Sequence, residues 1–206
     1  MTKILTLTLT IIMCAHAYSC NLLLVGDSLS TGYGLKTNKS WVKYLEKELN
    51  NHQPPFALNN VSISGMTSKE ASHSISSWLK EYQPSIIVIE LGGNDVLQGV
   101  HPKIIKSNIE NIIVKSAQYG CVVLLEIPHP QHYPIEYITQ IKNLSKTLAH
   151  KHKINYIPSF FKNINQKDFF QNDGIHPNEK AQPLLFNNVW SELSLMLINC
   201  QSKIKN

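Results

Sequence analysis

Short unbroken apolar runs alternate along the chain with longer stretches in which apolar positions recur every three or four residues. The runs Asn21 to Val25, Ala57 to Ile63, Ser85 to Leu91, Cys121 to Ile127 and Asn155 to Ile157 read as buried strands. The periodic stretches Trp41 to Leu49, Lys69 to Lys80, Ile104 to Gln118 and Tyr137 to His150 predict amphipathic helices, and a last helix is expected near Glu179 to Ile198. Strands that alternate with helices form a parallel sheet covered on both faces. Right-handed crossovers then make a doubly wound three-layer α/β/α sandwich the expected fold. No repeat, low-complexity segment or linker interrupts the pattern, and a length of 206 residues fits one domain.

Ligands of such folds bind beyond the carboxyl ends of the strands, and the polar clusters of this chain fall there. The first strand runs into Gly26-Asp27-Ser28, the second into Ser64-Gly65 and the third into Gly92-Gly93-Asn94-Asp95, while Asp173-Gly174-Ile175-His176-Pro177 leads into the last helix. Four loops from separate parts of the chain can therefore converge.

The amino terminus follows a different pattern. Met1-Thr2-Lys3 precedes a run, Ile4 to Cys14, that is apolar or Thr throughout, and Ala15-His16-Ala17 follows. This is the order of a secretory signal peptide, basic start, apolar stretch and Ala-x-Ala cleavage site, which puts the mature start at Tyr18 and one domain over 18–206. The expected location is the periplasm or the exterior, with no stable membrane insertion after cleavage, since no run reaches the ~18 apolar residues that span a bilayer. Loss of Cys14 leaves Cys20, Cys121 and Cys200, an odd number in an oxidising compartment. Cys121 opens a strand and reads as an inert core thiol. A last helix running from the strand tops to the bottom would bring Cys200 towards Cys20, so a disulfide between them is a candidate tie.

Charge narrows the partners. The formal net charge of +5 comes from scattered lysines, and the chain contains no arginine. Arginine is the usual fork for phosphate and guanine, so nucleic-acid binding is disfavoured and the lysines read as a solvated surface.

A serine hydroxyl becomes a useful nucleophile when a base takes its proton and an acid orients that base. Among the nine histidines, His52, His73, His150 and His152 sit in polar or helical stretches, His101 precedes a proline, and His129 and His132 lie in a proline-rich loop. His176 stands apart because Asp173 lies three residues before it, within reach on one side of a turn. Pro177 suits the first position of a helix, which would set His176 at the positive helix end and disfavour imidazolium. A plain capping turn is the alternative reading of Asp173. Donors for an oxyanion hole are available in the Asn94 amide, the Gly65 N–H and the Ser28 N–H. The spacing of Gly26, Gly32 and Gly34 fits neither a phosphate loop nor the Gly-x-Ser-x-Gly elbow.

Gly26-Asp27-Ser28-Leu29-Ser30, Ser64-Gly65, Gly92-Gly93-Asn94-Asp95 and Asp173-Gly174-Ile175-His176-Pro177 resemble, in order, the four blocks of the SGNH (GDSL) hydrolases. Glu90 to Asp95, and Asp173 to Asn178 followed by Ala181-Gln182-Pro183, are similar to the bacterial periplasmic thioesterase I, lysophospholipase and arylesterase subgroup. The resemblance implies Ser28 as nucleophile, His176 as base and Asp173 as its partner, with Ser28, Gly65 and Asn94 in the hole. It also implies a flavodoxin-like five-stranded sheet, no metal, no cofactor, and a monomer acting on acyl esters or thioesters, lysophospholipids among them. Asp27 would be a structural member of the first block at the substrate site. Val96 and Leu97, Pro128 and Tyr133, and Ile175 would border the substrate. Two other readings stay open: a carbohydrate O-deacetylase on the same scaffold, and a flavodoxin-like or carbohydrate-binding protein without turnover.

Overall fold

Strand β1 (Cys20–Gly26) carries four consecutive aliphatic residues, Leu22 to Val25, all fully buried. Such a strand needs cover on both faces, and the computed structural model, which describes residues 20–129, 133–158 and 160–204 (backbone alone for 199–204), supplies it. The other strands are β2 (Phe56–Asn60), β3 (Ile86–Glu90), β4 (Cys121–Leu125) and β5 (Asn155–Ile157). They form one sheet in the order β2-β1-β3-β4-β5, and every pairing is parallel. The expected α/β sandwich is the observed fold.

The long helices are α2 (Trp41–Asn51), α3 (Ser68–Tyr82), α5 (Pro102–Ser116), α6 (Ile135–His152) and α8 (Gln182–Ile204). Pleating divides β1 between them. Leu22 and Leu24 pack with Trp41, Leu45 and Leu49 of α2 and Leu185, Val189 and Leu193 of α8, whereas Leu23 and Val25 pack with Ile75 of α3, Ile109 of α5 and Leu144 of α6. Apolar residues four apart, such as Ala71, Ile75 and Leu79 in α3, make each contacting stripe. Helix starts are written locally: Thr67 and Glu70 form a capping box on α3, and Pro102 follows the His101 cap on α5.

Element ends differ from the sequence reading by a few residues. β2 stops at Asn60, yet the amides of Val61 and Ile63 still donate to Leu24 O and Gly26 O, which brings the following Ser64-Gly65 beside the end of β1. Helices α1 (Ser28–Thr31), α4 (Gly93–Leu97) and α7 (Gln166–Phe169) were not anticipated, because one helical turn has no readable period. Cys121 is disulfide-bonded, which corrects the expectation of an inert core thiol. It opens β4 and is half-buried, packed against the edge of the core rather than sealed within it. The Cys200 side chain and the expected signal segment lie outside the described residues. Among those described, no helix is long and apolar enough to cross a membrane.

The approach of β3 and β4 leaves no room beside Gly120. A Cβ there would overlap the Ser85 carbonyl, which is fixed as the acceptor of the Cys121 amide. Gly120→Ala should therefore destabilise the protein by about 1–3 kcal/mol, read as a lower urea midpoint at unchanged slope.

Candidate active site

In the order β2-β1-β3-β4-β5 the chain leaves β1 towards opposite sides, so the crevice of a doubly wound sheet opens at the carboxyl end of β1. Asp27 follows β1 directly and caps α1, its Oδ1 accepting from the Leu29 amide at 3.0 Å. This turn presents Ser28 as the first residue of α1. Trp41 fixes the turn from one side, donating its indole N–H to Leu29 O at 3.0 Å, and Asn60 donates to Ser30 O at 3.1 Å from the other.

The segment carrying His176 comes from a distant part of the chain. Asp173 Oδ1 accepts from the amides of Ile175 and His176 at 2.9 and 3.0 Å, and Oδ2 lies 2.7 Å from His176 Nδ1. His176 Nε2 lies 2.9 Å from Ser28 Oγ. The Tyr33 ring packs against the imidazole with centroids 4.6 Å apart. The helix expected at Pro177 begins instead at Gln182, so His176 does not sit on a helix terminus. Pro177 pairs with Phe170 in an antiparallel bridge, with Gln171 N donating to His176 O and Asn178 N to Phe169 O. Gln182 then ties this loop to α2, its Oε1 accepting from Trp41 N and its Nε2 donating to Pro177 O and Asn178 O.

Gly65 has φ +84 and open space where a Cβ would stand, a conformation that favours glycine. Asn94, in α4, gives its amide hydrogens to Asp27 Oδ2 at 2.9 Å and Met66 O at 3.1 Å. Asp95 is buried and accepts from Ser68 N and Ser68 Oγ, which fastens the Gly65-Met66 turn to α4. The structure thus gathers Ser28, Gly65, Asn94, Asp173 and His176 into one neighbourhood.

Two residues expected at the substrate do not face it. Val96 is fully buried among Ile105, Ile109 and other core residues, because the single turn of α4 points it inward. Asp27 is 2% exposed and spends its carboxylate on Leu29 and Asn94. Leu97 and Ile175 are exposed, and Tyr133 is half-buried with its hydroxyl donating to Leu97 O. Pro128 lies against Gly93. Sequence reasoning missed a cleft of about 800 Å³ beside Asp173, walled by Tyr33, Phe170, Gln171 and Asn172. It also missed Glu90, whose carboxyl accepts from Ser30 Oγ at 2.7 Å under the nucleophile turn. The acid at the end of an all-apolar strand, opposite Gly26, was the available signal. Among the described residues no cluster of three or more His, Cys, Asp or Glu could hold a metal ion.

The carboxyl groups differ by environment. Burial lifts Asp27 to about 6, against the Leu29 and Asn94 hydrogen bonds and the His176 charge. For Asp173, partial burial works upward, but the backbone and side-chain bonds from His176 and the Ile175 amide prevail and hold it at about 2.

The sequence matches the pattern of the GDSL-like lipase/acylhydrolase family over residues 24–183. It is 35% identical to esterase TesA of Pseudomonas aeruginosa, over 91% of this chain and 94% of that protein. It is 34% identical to thioesterase 1/protease 1/lysophospholipase L1 of Escherichia coli K12, over 80% of this chain and 78% of the relative. The crystal structure of the psychrotrophic esterase EstA from Pseudoalteromonas sp., inhibited by monoethylphosphonate, superposes with a TM-score of 0.80 at 32% identity, covering 86% of this chain and 98% of that one.

Because the folded Asp27 carboxyl stands above its ordinary 3.8, its favourable contribution is complete below that pH and is lost as the pH rises through about 6. Asp27→Asn should accordingly gain Tm relative to wild type as the pH is raised from about 4 to about 8. A Tm difference that stays constant over this range would contradict the assignment.

Proposed function

Because the chain belongs to the GDSL-like lipase/acylhydrolase family and is a hydrolase acting on esters, we propose that it works as a serine esterase and thioesterase through an acyl-enzyme on Ser28. The observation that carries this reading is the chain of contacts from Ser28 Oγ to His176 Nε2 at 2.9 Å and from His176 Nδ1 to Asp173 Oδ2 at 2.7 Å. His176 takes the Ser28 proton as Oγ attacks the acyl carbonyl, and Asp173 fixes the ring and balances the charge it gains. The Ser28 and Gly65 amides and the Asn94 side chain stabilise the oxyanion. Asn94 does so by exchanging Met66 O, a neutral acceptor, for the charged oxygen while Asp27 keeps hold of the other hydrogen.

Collapse of the intermediate expels an alcohol or thiol, which takes the proton from His176, and water then attacks the acyl-enzyme with His176 again as base. The cleft between Tyr33 and Gln171 adjoins His176 and gives the leaving group room. The acyl chain runs past Leu97, Pro128, Tyr133 and Ile175. Lysophospholipids and other amphipathic acyl esters fit this division, in keeping with the names of the relatives. Export as a mature monomer starting at Tyr18 is part of the same reading, supported by the Cys121 disulfide, which requires an oxidising compartment.

The test is hydrolysis of p-nitrophenyl esters from acetyl to palmitoyl by wild type and variants. Ser28→Ala should abolish turnover, and Asn94→Ala should lower kcat by about 100-fold or more. Activity confined to acetyl would replace this reading with a deacetylase, and undiminished activity in Ser28→Ala would overturn it.

A further inference from the structure

Hydrolysis as described makes no use of Glu90, yet the fold buries this carboxyl group under the nucleophile. Glu90 ends β3 in register with Gly26, at the crevice where the chain diverges from β1, and is 1% exposed. Its Oε2 accepts from Ser30 Oγ at 2.7 Å and, more loosely, from the Asp27 amide at 3.5 Å. Its Oε1 is buried with no hydrogen-bond partner among the described residues. An acid with one oxygen unsatisfied is unfavourable in a core, and the four residues before it in β3, Ile86 to Ile89, are aliphatic and completely buried. A fifth aliphatic residue would suit the packing better.

What the acid provides is a grip on both flanks of Ser28. Gly26 is part of the same arrangement, since a Cβ on it would lie 2.7 Å from Ser30 Oγ and 2.9 Å from Glu90 Oε2. The missing side chain of Gly26 is therefore the space in which the Ser30 to Glu90 hydrogen bond forms.

We propose that Glu90 is a positioning residue for the nucleophile: its carboxyl group holds the Ser28 turn from beneath, through the Ser30 hydroxyl and the Asp27 amide, and so keeps Ser28 Oγ aligned with His176 Nε2. The proposal rests on Ser28 being the nucleophile. Burial, and after it the nearby charge of Asp27, push the Glu90 carboxyl well above the usual range. Glu90 meets the turn as a hydrogen-bond acceptor for Ser30 and the Asp27 amide, while Asn94 and the Leu29 amide donate to Asp27 instead. Length and hydrogen-bonding capacity are what the position needs, rather than charge.

Three variants test this, each measured for kcat and KM on p-nitrophenyl butyrate and for the rate at which a p-nitrophenyl phosphonate inactivates Ser28. Glu90→Leu should lower kcat and the inactivation rate by about 100-fold, the scale expected from a small misplacement of a reacting group, while KM stays unchanged. Glu90→Gln, uncharged and of equal length, should return both rates close to wild type. Ser30→Ala should lower both in the same direction as Glu90→Leu. Wild-type kcat in a folded Glu90→Leu, or a Glu90→Gln as slow as Glu90→Leu, overturns the proposal. Should circular dichroism reveal that Glu90→Leu does not fold, Ser30→Ala decides, and unaltered rates in it overturn the proposal. Activity that survives in Ser28→Ala would instead remove the nucleophile assignment itself.

Discussion

Strand β1 is hydrogen-bonded on both sides, to β2 through Leu24 opposite Asn60 and to β3 through Gly26 opposite Glu90, and the site is assembled on this double pairing. Parallel strands in register end on the same rim, so the segments following β1, β2 and β3 all start from one edge of the sheet. Each is then fixed by a short tether. Asn60 holds Ser30 O, Thr31 Oγ1 lies 2.8 Å from Ser64 Oγ, and Asn94 joins Asp27 to Met66 O. The segment bearing His176 reaches the same place through Gln182 and Trp41. Backbone pairing thus brings the loops together, and side-chain amides and hydroxyls set their spacing.

Four acids lie in or near this assembly, and their surroundings give them different work. Asp95 is sealed inside and satisfied by Ser68, which makes it a structural clamp on the neighbouring turn. Asp173 is partly open and takes three hydrogen bonds, so it stays ionised far into acid and opposes the imidazole as a permanent charge. Asp27 is buried with fewer donors and is held near 6, on the edge of neutrality. Glu90 is enclosed as completely as Asp95, and burial, with the nearby Asp27 charge, pushes its carboxyl well above the usual range. Residue type alone would have made Asp27, Glu90 and Asp173 equivalent anions; desolvation and hydrogen-bond donors separate them.

The sheet was legible because strands buried on both faces must be apolar at every position, and Leu22 to Val25 and Ile86 to Ile89 are. The helices were legible for a similar reason, since a helix covering a sheet needs a stripe four residues apart. Single-turn elements such as α1 and α4 escaped, having too few residues to display a period. Among the candidate site residues, those with a local reason for their identity could be read directly: Asp173 and His176 are three apart in one turn, and Gly65 adopts a left-handed φ. Residues whose meaning depends on a distant partner could not. Pro177 looked like a helix start until its bridge to Phe170 was seen, and Val96 looked like a groove wall until the turn of α4 pointed it into the core.

What the sequence by itself determined was the alternation of strand and helix, the rim on which the polar loops had to lie and the kinds of chemistry those loops could carry. These follow from periodicity and local turn geometry, which act over a few residues. What tertiary structure alone decided was distance and environment: that Ser28 and His176, 148 residues apart, meet at 2.9 Å, and that Glu90 is enclosed beneath them. Both depend on strand register and on which side chains exclude water, and these are properties of the packed chain as a whole.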